Sequence, residues 1–113
     1  MANINVTWTT NPTDTSDIDS YEVFVCDGTA TGHFATAAAL QTKLDAIHGG
    51  ATASSQGLEL IESITDLTAK SITASHPITG TGSPVNYHFG IAAKNQGGFK
   101  VQDDDAVFPL PVT

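Results

Sequence analysis

Six of the chain's 12 acidic side chains fall in two short groups: Asp14, Asp17 and Asp19, then Asp103, Asp104 and Asp105. Oxygen ligands drawn from two loops suit calcium. The same pattern also fits a solvated acidic surface, and its spacing is not that of an EF-hand loop. The four histidines are His33, His48, His76 and His88. None stands in a His-x-x-x-His arrangement and Cys26 forms no Cys-x-x-Cys, so zinc spacing is absent. Cys26 has no internal disulfide partner and reads as a small apolar strand residue. No serine sits in a nucleophile elbow. Gly80-Thr81-Gly82 lacks the strand–turn–helix context of a phosphate loop. No catalytic residue, cofactor site or metal site is assigned, and the expectation is a protein that is not an enzyme.

Charge narrows the partners. The formal net charge is −8, and the four basic residues are all lysines, Lys43, Lys70, Lys94 and Lys100. Arginine is the preferred donor to phosphate and base edges, and a nucleic-acid or anionic-lipid surface would need a basic patch. Neither nucleic acid nor membrane is expected as a partner. The N-terminus has no basic and apolar signal-peptide pattern, and no apolar run approaches the length of a membrane span. A cytoplasm is therefore the expected place of synthesis, with no export by the general secretory route.

The elements that would position these groups read as strands. In residues 87–98 (YHFGIAAKNQGG), Tyr87, Phe89, Ile91 and Ala93 alternate with His88, Gly90 and Ala92. A period of two marks a half-buried strand. Asn95-Gln96-Gly97-Gly98 is a tight reversal whose glycines supply positive φ. Ile4, Val6 and Trp8 alternate in the same way, with Trp8 inward, and Pro12 stops that strand. Tyr21, Val23 and Val25 form one face of the next strand; Glu22, Phe24 and Cys26 form the other, so Phe24 needs a cover. Phe34, Ala37, Ala38, Leu40, Leu44 and Ile47 fall at helical spacing before Gly49-Gly50, which predicts a helix over 35–48 lying outside the sheet, with Phe24 as its target. Residues 58–67 fit both a strand and a helical turn; a strand followed by a turn is preferred. Residues 71–78 read as a strand with Ile72 and Ala74 inward. Pro109 and Pro111 place the last segment at an edge or in an extended tail.

Together these segments resemble a fibronectin type III domain. Ile4-Asn5-Val6-Thr7-Trp8 looks like its second strand, B, and Ile18-Asp19-Ser20-Tyr21-Glu22-Val23 like its third, C. Residues 71–79 look like strand E, and 84–98 like the approach to strand F, strand F itself and its turn. The resemblance implies one all-β domain over 1–113. It would be an immunoglobulin-like antiparallel β-sandwich lacking a regular first strand, with one helix inserted between strands C and E, roughly within 28–57. It places Tyr87 at the corner between strands E and F. The two acidic groups would then share one pole, and the helix would sit at the other. The strand at 3–9 would keep an open edge. That edge is either covered by a neighbouring subunit, or by Val107–Val112 of the same or another copy, or kept solvated by Asn and Thr.

The expected function is a non-catalytic structural or interaction protein. A bacteriophage virion component, a capsid-decoration or tail accessory protein docked on other virion subunits, fits best. The grounds are a small sandwich starting at its own Met1, the missing signal peptide, and a surface low in charge and rich in Thr, Ser and Gly. Its partners would be other virion proteins and copies of itself, and its location the virion. The alternative is a carbohydrate- or cell-surface-binding module, for which Phe24, Phe34, Phe99 and Phe108 are the candidate aromatics. This step is analogy from fold.

Overall fold

A computed structural model describes residues 4–8, 11–12, 14–26, 36–74, 85–101 and 107–112, with the backbone alone at 4, 5, 26, 73, 74, 85–87 and 107–112. The elements are β1 (Ile4–Thr7), β2 (Ser20–Cys26), α1 (Ala37–His48), a short 3-10 turn (Ser54–Gln56), β3 (Glu59–Ile64), β4 (Ser71–Ala74), β5 (Val85–Asn95), β6 (Gly98–Val101) and β7 (Val107–Val112).

Strand β5 is the axis of a five-stranded antiparallel sheet. It pairs with β2 on one side, and β2 pairs with β3. On its other side, β6 faces residues 92–95 and β7 faces residues 85–90. A second, two-stranded antiparallel sheet joins β1 to β4. The protein is thus mostly strands in antiparallel sheets, with one helix.

The alternation in β2 and β5 sorts side chains to two faces. Tyr21, Val23, Val25, Phe89 and Ile91 form one buried cluster with Val6 and Trp8 of the small sheet's side. Ile72 of β4 packs against the same cluster. Trp8 is satisfied as well as buried, since its Nε1 donates to Asn11 Oδ1 at 2.8 Å. The opposite face of the large sheet presents Phe24, Ala92 and Val101, and there Leu40 and Leu44 of α1 bury them. Phe24 and the helix therefore meet, as their patterns require. Thr36 caps α1 through a hydrogen bond from Ala39 N–H at 3.1 Å.

Strand β3 explains the double pattern of residues 58–67. Its pairing with β2 shifts between Val23 and Phe24, so Glu62 and Leu60 face successive β2 residues and Ile61 is the extra one. This bulge switches faces: Leu58 packs with the helix, while Ile61 and Ile64 pack between the sheets.

The edges of the large sheet are guarded. The Asp19 N–H donates to the Lys94 carbonyl at 2.9 Å, so even-numbered residues of β5 bond β2 and odd-numbered ones face β7. The β7 partners of Phe89, Tyr87 and Val85 are Phe108, Leu110 and Val112. Pro109 and Pro111 lie between them, with their donor-less nitrogens on the open side. Strand β7 is therefore an edge strand of the same copy, held on β5 and not on β1. This corrects the expectation that Val107–Val112 of the same chain could cover β1.

Candidate functional site

The loop between β1 and β2 and the β5–β6 turn meet at one end of the large sheet. Asn95 Nδ2 donates to the Asp17 carbonyl at 2.9 Å, and Asn95 Oδ1 accepts the Gly97 N–H at 2.7 Å. Asn95 and Gly98 are paired, so the turn proper is Gln96-Gly97. Gly98 has φ +126°, whereas Gly97 is not among the positive-φ residues. One glycine, not two, supplies the left-handed conformation.

A cleft of about 470 Å³ opens between these loops. Pro12, Asp14, Asp17 and Ile18 line one wall, and Ala93 and Lys100 are on the other. Lys94 and Phe99 line it too, so this wall wraps the end of the β5–β6 ladder: Ala93 packs into the inter-sheet cluster and Phe99 into the helix-side one. Exposed Asp14 and Asp17 share this cleft with exposed Lys94 and Lys100, while Asp19 lines a smaller neighbouring one. The Asp14 carboxylate is already engaged: Oδ1 accepts from Ser16 N–H at 3.0 Å and from Ser16 Oγ at 2.7 Å. These bonds, the backbone one foremost, hold its pKa below the ordinary carboxylate value.

Asp103, Asp104 and Asp105 lie outside the described residues. The strands flanking them stop at Val101, opposite Ala92, and resume at Val107, opposite Gly90. His33, His76 and Gly80-Thr81-Gly82 also lie outside the described residues. His88 is half-buried on β5, and His48 ends α1. Among the described residues no group of three or more His, Cys, Asp or Glu side chains is placed to hold a metal ion. Tyr87 and Cys26 are described by backbone alone, so the corner role of Tyr87 lies outside the described side chains.

The expected separation of helix and acidic loop does not hold. A Cβ built on Gly98 would lie 3.5 Å from the His48 ring. The C-terminal end of α1 therefore reaches the same turn that the acidic loop contacts. The segment leaves β2 at Cys26, far from the turn, but the helix returns along the sheet.

One buried carboxylate has no counterpart in the sequence reading. Glu22 is 4 % exposed. Its Oε1 accepts from Ser20 Oγ at 3.0 Å and its Oε2 from Ser63 Oγ at 2.7 Å. The only sequence signal is the two serines, and their convergence needs the β2–β3 register.

Among the described side chains the aromatics form no open platform. Phe24 is buried, and Phe99 packs edge-on against it with ring centroids 5.9 Å apart. Lys94 Nζ sits over the Phe99 ring, 5.5 Å from its centroid. Among the described residues no helix is long and apolar enough to cross a membrane. Comparison with family models, curated proteins and solved structures finds no match to the chain.

Proposed function

We propose that the chain is a fibronectin type III-like β-sandwich with a non-catalytic docking role, and that it is a bacteriophage virion component bound to capsid or tail subunits. On this reading β1 and β4 are strands B and E. Strands β3, β2 and β5 are C′, C and F, and β6 with β7 makes an interrupted G. The inserted helix seals the outer face of C, F and G.

The single observation that carries the docking role is the mismatch between the sheets. Among the described residues, a large sheet four positions wide faces a small sheet of two strands. A cleft lies at one end of the large sheet, between the loop after β1 and the end of the β5–β6 ladder. Sheets left half-covered next to an open strand edge are common sites of protein recognition. Phe24 and Phe99 are committed to each other and to the helix, which favours protein docking over a sugar platform. The assignment to a virion rests on the surface chemistry and on analogy.

Proteomics of purified particles tests the virion reading. The chain is expected at a fixed stoichiometry to the major capsid or tail protein after gradient purification. Its recovery in the soluble host fraction alone, with none in intact particles, would sink that reading.

A further inference from the structure

The charges of the cleft are sorted by wall. The loop between β1 and β2 brings both acids, Asp14 and Asp17, together with Pro12 and Ile18. The end of the β5–β6 ladder brings both bases, Lys94 and Lys100, together with Ala93 and Phe99. Among the described residues these four charges make no ion pair with one another. Local contacts hold them in place instead. Asp14 Oδ1 is tied to the Ser16 N–H and hydroxyl, which leaves Oδ2 without a described partner. Lys94 Nζ rests over the Phe99 ring, 5.5 Å from its centroid. Asn95 joins the two walls by donating to the Asp17 carbonyl at 2.9 Å.

This lining selects by charge. A basic occupant would meet Lys94 and Lys100, and an acidic one would meet Asp14 and Asp17. An occupant with one charge of each sign meets an opposite charge on each wall. Between the charges lie Pro12, Ile18, Ala93 and Phe99, which suit an apolar body. The cleft measures about 470 Å³. That is at the low end of the roughly 300–1,000 Å³ of small-molecule sites, and gives room for a dipeptide.

We propose that this cleft binds a small zwitterion with an apolar body, of the size of a dipeptide. Its ammonium group is held at Asp14 and Asp17, and its carboxylate at Lys94 and Lys100. All four side chains are exposed, so each charge contact is weak and the affinity is in the millimolar range. The site serves beside the docking role proposed above and does not depend on it.

Titration of the purified full chain with leucyl-leucine, followed by backbone amide NMR shifts, tests it. Saturable shifts are expected at Gly97, Gly98 and Lys100. N-acetylation removes the ammonium and C-terminal amidation the carboxylate, and each is expected to weaken binding about two- to fivefold. Asp14→Asn with Asp17→Asn is expected to weaken leucyl-leucine and spare its N-acetyl form, while the amide introduced at position 14 keeps an oxygen to accept from Ser16. Lys94→Gln with Lys100→Gln is expected to weaken leucyl-leucine and spare its amidated form. The same spectra report that each variant is folded. The proposal is overturned if no shift saturates, or if the dipeptide blocked at both ends binds as well as the free one. It is equally overturned if either pair of substitutions weakens every form alike. Because the assay uses isolated protein, its failure leaves the particle proteomics unaffected, and the reverse holds too.

Discussion

Gln41 holds Val101 as a neighbouring strand would. Its Oε1 accepts the Val101 N–H at 2.8 Å while its Nε2 donates to the Phe99 carbonyl at 2.7 Å. Residues 99 and 101 are the outward-facing pair of β6, so one side-chain amide closes the edge that strand addition would use. The same contact anchors the helix, whose apolar hold is chiefly Leu40 and Leu44, both fully buried.

Gln41→Ala should therefore act twice. Loss of two part-buried bonds to backbone is expected to cost about 1–3 kcal/mol in a urea melt. The freed β6 edge is expected to produce concentration-dependent association in sedimentation velocity. A variant that stays monomeric at high concentration would show that the amide does not guard the edge, whatever its effect on stability.

Glu22 makes a second, sharper demand. Its carboxylate is the acceptor for both Ser20 and Ser63. Glu22→Ala leaves two hydroxyls without that acceptor and is expected to destabilise by about 1–3 kcal/mol. Glu22→Gln keeps one acceptor oxygen, so it should cost less than Glu22→Ala by chemical denaturation. Equal losses would mean that the carboxylate's charge or its second acceptor oxygen, both absent from the near-isosteric amide, sets the effect, and not side-chain volume.

What can be read from the sequence divides along physical lines. At Tyr21, Val23 and Val25 of β2 and at Phe89 and Ile91 of β5, alternate apolar residues are buried between the sheets, so periodicity alone sorts them correctly. Helix α1 is legible because Leu40 and Leu44 are one turn apart before Gly49. Strand β3 is ambiguous because the bulge at Ile61 moves its apolar residues from one face to the other. The Gln41–Val101 and Glu22–Ser63 contacts span 60 and 41 residues, and no local pattern announces them. At the candidate site, strand order alone places the acidic loop and the turn together. It misplaces the helix end, because a connection that leaves one end of a sheet can return along its face.

Asp14 and Asp66 share a local device, each accepting from the N–H and hydroxyl two residues on. Both pKa values are held below the ordinary value of 3.8. For Asp14 the backbone bond from Ser16 is the larger cause; for Asp66 it is the Thr68 hydroxyl. A folded-state value below the unfolded one gives stability above the unfolded pKa, lost as pH falls through the folded one. Carboxyl NMR titration is expected to place both below 3.8. Thr68→Val should return Asp66 most of the way, and Ser16→Ala should return Asp14 by less. Identical responses would contradict the assignment of causes.

Tyr21 carries the opposite shift. It is 1 % exposed, and its hydroxyl donates to the Leu67 carbonyl at 2.8 Å, tying β2 to the β3–β4 link. Burial pushes its pKa above the ordinary value of 10.0, because a phenolate there would lose water. Ionisation would also remove the proton given to Leu67. A folded-state value above the unfolded one gives stability that is complete below the unfolded pKa and is lost as pH rises through the folded one. Alkaline titration by phenolate absorbance is expected to show a late step that Tyr21→Phe abolishes, leaving the titration of Tyr87. At neutral pH Tyr21→Phe should cost about 0.5–1.5 kcal/mol, the net worth of one hydrogen bond. If Tyr21 instead titrates at its ordinary value in the folded protein, the ring is open to water, and the packing of β2 against the small sheet is looser than its burial indicates.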